Sequence, residues 1–354
     1  MTSLAFGPLE NIVADPRTTD VTVTCEGQVW ADFGSGMREC RLPIPFRSPD
    51  IVRDYAVQLC AQLGRRLDDA CPIADASSPD GLRVHAVIAP IVPQGAAISI
   101  RLPPRSPPTL ESLCARGLMP AIWLPILRSL VDRRATLLIT GGTGAGKTTL
   151  LKALLGLCTA CERIITVEEV RELGAIGAGN RVSLVTREAN VEGAGAIGLP
   201  ELVKATLRMR PDRIVLGECR GEEIADLLRA FNSGHHGGMV TLHADDVRRV
   251  PTRLASLGLL AGLPVEATAM LARDAFDAVI HVERDTSGRR YISQIGRLIG
   301  QLNGGSSGQS DGTARSLSGE VVAMWDGAGT PMAGPGWADF AARWLFGSLR
   351  QRES

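Results

Sequence analysis

Lysine is almost missing from this 354-residue chain, which has three among its 38 basic residues, at 147, 152 and 204. A lysine in a glycine-rich motif is therefore a poor candidate for coincidence. Net charge is missing too, since 38 basic residues face 38 acidic ones, and aromatics make up only 4%. That balance supplies no bulk field for nucleic acid and few rings on which bases could stack. No apolar run reaches the ~18 residues that span a bilayer, and the longest, around Met119 to Leu127, is broken by two prolines. The N-terminus lacks the basic and apolar regions of a secretory signal. Eight cysteines share no repeated spacing, which fits a reduced setting better than a disulfide framework. Cys158 and Cys161 form one C-x-x-C pair without the second pair that a zinc site needs.

Against these absences stands Gly141-Gly142-Thr143-Gly144-Ala145-Gly146-Lys147-Thr148-Thr149. An apolar strand-like run (Ala135 to Thr140) precedes it and a helix-like run (Leu150 to Leu157) follows. Strand, GxxxxGK[ST] and helix together are the context of a phosphate-binding loop. Backbone N–H groups of residues 142–149 turn inward around phosphates, and the helix N-terminus adds partial positive charge. Lys147 reaches the β and γ phosphates of a nucleoside triphosphate, and the Thr148 hydroxyl holds Mg²⁺.

Three later apolar runs each deliver an ionisable group. Arg163 to Val167 ends on Glu168-Glu169, Arg213 to Gly217 on Glu218, and Met239 to Leu242 on His243. Alternating strands and helices predict a largely parallel sheet, whose ligands lie outside the carboxyl ends of the strands. Hydrolysis needs phosphate clamping, a metal and a group that orients water. Either Glu168 or Glu218 could act on the water or on the metal's hydration shell. His243 could sense the γ phosphate, with His235 in the neighbouring SGHHGG stretch as a second sensor. Arginines that could meet transition-state charge are Arg83, Arg101, Arg187, Arg208, Arg210 and Arg220, and sequence alone does not rank them.

The motifs resemble the type II/type IV secretion ATPases, and within them the branch serving tight-adherence (Flp-type) pili. The resemblance runs from about Thr18 to Arg297. Its Walker A box is GGTGAGKTT, its acidic box runs from Ile164 to Leu173, its Walker B region spans Leu207 to Gly221, and its His box runs from Ser233 to Ala244. It implies an α/β chain with a RecA-like P-loop (ASCE) motor and a smaller N-terminal PAS-like domain. Glu168 would be the catalytic carboxylate and Glu218 the Walker B glutamate near Mg²⁺. His235 and His243 would couple nucleotide state to the sheet, and Arg83 and Arg101 would join Lys147 at the nucleotide. Implied cofactors are ATP and Mg²⁺. Implied partners are further copies in a ring, a hexamer, and integral membrane platform proteins, with no stable nucleic-acid binding; the setting is cytoplasmic, at the inner face of the membrane. A conjugation or DNA-transport ATPase of the same fold, and a nucleotide-binding subunit without turnover, are the alternatives.

Some residues depart from that pattern. Glu169 stands where aspartate is usual, and Ser183-Leu184-Val185-Thr186-Arg187 lacks one arginine and one acid of the family's run. The tetracysteine zinc element of some relatives is absent, and no long N-terminal extension is expected. The expected domains are 1–102 (PAS-like), 103–118 (a proline-rich hinge), 119–300 (motor) and 301–354. That last part divides into a flexible glycine- and serine-rich stretch, Asn303 to about Ser318, and an apolar helix, Trp337 to Leu349.

Overall fold

In the computed structural model, described for residues 4–34, 36–103, 107–174, 179–187, 189, 193–301 and 316–346, the chain divides into two units. The first comprises Met1–Ser106 with Val170–Ala175, and the second the remainder. Strands β1 (Asp20–Val23), β2 (Val29–Asp32), β3 (Met37–Cys40), β4 (Ile73–Ser77), β5 (Arg83–Ile88) and β6 (Ala96–Arg101) form one antiparallel sheet in the first unit. Their order is β3-β2-β1-β6-β5-β4. Helix Pro49–Gln62 begins where the Ser48 hydroxyl accepts the Ile51 N–H at 3.4 Å, and Pro49 sits in its first turn. Its Val52, Ala56 and Leu59 bury against Val84 and Ile98 of the sheet. Spacing of three and four residues puts those side chains on one helical face.

The second unit holds β7 (Leu137–Thr140), β8 (Ile164–Glu168), β9 (Arg181–Val185), β10 (Arg213–Cys219), β11 (Met239–Leu242), β12 (Ala278–Arg284), β13 (Arg290–Gln301), β14 (Ser316–Met324) and β15 (Met332–Ala333). They form one sheet in the order β15-β14-β13-β12-β7-β11-β10-β8-β9. From β12 to β9 every pairing is parallel, and β13 to β15 add an antiparallel edge. Every residue of β7, β8 and β11 is buried. Strands covered on both faces read as near-continuous apolar runs, and these do apart from one threonine in each and Glu168 at the end of β8.

Three segments bear on the expected boundaries. Residues 104–106 of the proline-rich hinge lie outside the described residues, but the following Leu110–Ala115 is a helix. The Thr109 hydroxyl accepts the Ser112 N–H and the Ser112 hydroxyl accepts the Thr109 N–H, a reciprocal cap that starts it. Next, the glycine- and serine-rich stretch ends earlier than expected. Residues 302–315 lie outside the described residues, but Ser316–Ser318 belong to β14 and pair with β13, Leu317 opposite Gly300. Finally, the C-terminal segment is α-helical over Trp337–Ala341 and π-helical over Ala342–Phe346. It packs on its own unit: Phe340 and Trp344 are buried, Ser129 Oγ donates to the Trp344 carbonyl, and Arg343 pairs with Asp277 at 2.5 Å. Residues 347–349 lie outside the described residues.

Candidate active site

The glycine loop joins β7 to helix Lys147–Leu155. Gly146, the residue before the first helical turn, has φ +104°, where any side chain would be strained. That turn lets the chain enter the helix with Lys147 pointing back over the loop. Lys147 is only 7% exposed, and its Nζ donates to the Gly141 and Gly142 carbonyls at 2.8 and 2.9 Å. Thr148, one residue on, is half-buried, and Gly142, Thr143, Gly144 and Thr149 are exposed.

Strand order explains what meets Lys147. Strand β11 lies between β7 and β10, so its carboxyl end carries His243 between the loop and Glu218. His243 Nε2 lies 3.3 Å from Lys147 Nζ and 2.9 Å from Glu218 Oε1. One ring nitrogen cannot accept from the ammonium and donate to the carboxylate at once. Burial pushes the His243 pKa down from 6.5, Lys147 adds to this, and Glu218 opposes it.

Glu218 differs from expectation in place. It is the sixth residue of β10, which runs on to Cys219 instead of ending on Glu218. The β10–β11 register shifts between Leu216 and Cys219, leaving Gly217 and Glu218 in an irregularity. Such a bulge re-aims a side chain, here toward His243. Gly217 also lacks a Cβ for a reason: one would sit 3.0 Å from Glu168 Cγ and 3.4 Å from its Oε1. The buried Glu168, 3% exposed at the end of β8, thus lies directly across the backbone that carries Glu218. Arg220 bridges two acids, Glu218 and Glu169, the latter at 2.7 Å. Glu223 fixes that turn by accepting the Arg220 and Gly221 N–H groups at 2.6 and 2.9 Å.

Lys147, Thr148, Glu168, Glu218, His243 and Arg220 therefore share the carboxyl edge of one sheet. Arg187 follows β9 on that same edge. Arg208 and Arg210 do not join them, because they precede β10, which at about 3.3 Å per residue carries the chain roughly 20 Å away. His235 likewise precedes β11, with its Nδ1 3.2 Å from the Ala230 carbonyl. Arg208, Arg210 and His235 thus lie before the amino ends of their strands, whereas the phosphate loop follows the carboxyl end of β7. In the first unit, Arg83 pairs with Glu172 at 2.5 Å and Arg101 with Asp20 at 3.0 Å. To meet a phosphate, each would have to exchange its carboxylate for it.

The groups present suit Mg²⁺ delivered with a nucleotide. Among the described residues no cluster of three or more His, Cys, Asp or Glu could cage a metal. Mg²⁺ keeps much of its water and takes one or two protein oxygens beside phosphate, which Thr148 and Glu218 can supply.

Arg284 and Arg290 also lie at the loop and belong to no sequence motif named above. Arg290 Nε donates to the Gly144 carbonyl at 2.8 Å. The signal for them in the sequence is the Asp285-Thr286-Ser287-Gly288 turn, a hairpin that puts the two arginines opposite each other.

Residues 3–288 match the family described as type II/IV secretion system protein. A Mycobacterium tuberculosis protein, provisionally named for conjugal transfer, is 42% identical over 298 residues, covering 82% of this chain and 84% of its own. Conjugal transfer protein TrbB of Rhizobium radiobacter is 34% identical over 298 residues, covering 82% and 86%. The solved pilus retraction motor PilT with bound ADP aligns at a TM-score of 0.58 and 19% identity, covering 88% of this chain and 81% of that one. That last likeness is one of fold. These names carry the similarity to the family and not to its tight-adherence branch.

Proposed function

The chain belongs to the type II/IV secretion system family, a family of ATPases, and from that premise we propose that it hydrolyses Mg²⁺-bound ATP as a ring-forming motor. The ring is a hexamer, as the family resemblance implies, and works on the cytoplasmic face of a membrane. It drives assembly of a tight-adherence-type pilus, or protein export, through an integral membrane platform. No helix among the described residues is long and apolar enough to cross a membrane.

The observation that carries the hydrolytic part is the line Lys147–His243–Glu218, with successive gaps of 3.3 and 2.9 Å. ATP would draw Lys147 off the Gly141 and Gly142 carbonyls onto its β and γ phosphates. Mg²⁺, held by Thr148 and Glu218, would neutralise charge on those phosphates. Glu168, buried beside Gly217, would orient and deprotonate the attacking water. His243 would report the γ phosphate to Glu218. Arg187, Arg208, Arg210 and Arg220 remain the candidates for a charge supplied across a subunit boundary, as does His235 for a sensor role there.

Phosphate release from Mg²⁺-ATP, with Lys147→Ala as the blank, tests this reading. Turnover in the native chain and none in the variant is the expected result. Equal turnover in both would refute the assignment of the loop.

The names of the two relatives favour a second reading, a conjugation motor. Turnover stimulated by DNA and falling steeply with salt would support it. The balanced charge of the chain argues against that outcome.

A further inference from the structure

The hydrolytic groups lie on one side of the P-loop strand. His243 follows β11 and Glu218 stands on β10, so on the ATP reading above the γ end of a nucleotide would face that way. On the other side of β7 lies β12, paired parallel to it, and the β12–β13 hairpin reaches the loop. The three arginines at its tip have different employments. Arg289 is structural, bound to Asp285 at 3.1 Å and to the Gly327 carbonyl at 2.7 Å, with its guanidinium 5.2 Å from the Tyr291 ring. Arg290 holds the outer face of the loop through the Gly144 carbonyl, and a Cβ on Gly146 would lie 3.4 Å from its Cδ. Arg284 aims at the same loop, its Nη1 3.6 Å from where a Gly144 Cβ would be. The Arg284 side chain is exposed and, among the described residues, makes no hydrogen bond or ion pair.

Resting on the ATP reading above, we infer that the nucleoside end of ATP docks against this hairpin. Arg284 lays its planar guanidinium on the base, and Arg290 is a positioning residue. With the γ phosphate turned toward β11, the α phosphate and nucleoside leave the loop on the β12 side, where Arg284 is the flat cationic surface. A guanidinium suits a π face. Holding the Gly144 carbonyl outward fixes that peptide plane, and with it the direction of the next N–H.

The test compares binding of ATP and inorganic tripolyphosphate to the full-length chain, by competition against a fluorescent ATP analogue and by calorimetry. Arg284→Ala is expected to weaken ATP about tenfold, the size of a partly desolvated cation–π contact, while tripolyphosphate changes less than about twofold. Arg284→Lys should weaken ATP nearly as much, because it keeps the charge and loses the plane. Arg290→Ala should weaken both ligands, and Arg290→Lys should recover both, since it restores a donor. Both arginines are exposed, so melting temperatures should be unchanged. Equal losses of ATP and tripolyphosphate in Arg284→Ala would make it a phosphate ligand and overturn the inference, and so would no loss of either. Retained ATP binding in Lys147→Ala, or no binding of ATP or tripolyphosphate by the native chain, would instead overturn the parent reading.

Discussion

At the scale of single residues, His243 makes the site sensitive to pH. Its lowered pKa leaves the ring neutral at pH 7, held so first by burial and then by Lys147. As pH falls below 6.5 toward the lowered value, the ring gains a proton. Its contact with Lys147 then becomes repulsive while its pairing with Glu218 strengthens. Glu218 would be drawn from Mg²⁺, so turnover should hold from pH 8 to 6.5 and fall below that. A His243→Gln variant should lose this acid limb, and an unchanged limb would assign it to another group. Stability follows the same sign. His281, buried with its Nδ1 2.9 Å from the Thr140 hydroxyl, is also shifted down by burial. A group whose folded pKa lies below its unfolded value contributes stability above the unfolded pKa and loses it as pH falls through the folded one. The urea midpoint of the native chain should therefore decline below pH 6.5. Glu218→Gln separates binding from chemistry: it should retain ATP and lose most hydrolysis, measured by nucleotide binding beside phosphate release. Near-normal turnover would move the role to Glu168.

At the scale of elements, the site was legible where strands are buried on both faces. Runs such as Leu137–Thr140 and Met239–Leu242 announce themselves because every residue is apolar or small. The groups that follow them, Lys147 and His243, could thus be set on one edge from sequence alone. Edge strands conceal themselves. Strand β3 is largely exposed, and β14 opens with Ser316-Leu317-Ser318-Gly319, a composition that reads as linker until β13 pairs with it. The bulge at Gly217–Glu218 is invisible for another reason, since register belongs to a pair of strands and not to one. At the amino end of β10 a different device is at work. Arg213 is 2% exposed and binds Glu162 through two bonds, at 2.9 and 3.0 Å, while also donating to the Val131 and Gly237 carbonyls. Removing one partner of a buried pair strands the other, so Arg213→Ala should cost about 3–5 kcal/mol. Urea unfolding followed by circular dichroism reads this directly, and a loss below about 1 kcal/mol would mean that Glu162 finds water instead.

At the scale of the whole molecule, the placement of arginines bears on how many chains make one working site. On the carboxyl edge Arg220 is already occupied by Glu169 and Glu218, and the hairpin pair lies on the far side of β7 from the hydrolytic groups. Arg208 and Arg210 stand at the opposite end of β10. The transition state gathers charge on the γ-phosphoryl oxygens, and an arginine brought there is worth roughly 10³–10⁵ in rate in related phosphoryl transfers. If that arginine comes from a neighbouring copy, dilution must silence the enzyme, because a lone chain has only the slow fraction of the reaction available to it. Phosphate released per chain should then rise with protein concentration and level off where sizing shows the ring complete. Adding Lys147→Ala chains to native ones gives the sharper form of the test. A variant that keeps its arginines but cannot use its own loop should still complete a native neighbour's site, so native chains diluted with it would retain more activity than native chains diluted with buffer. Activity that is independent of both concentration and added variant, with a monomer on sizing, would place every needed charge within one chain and reject the ring.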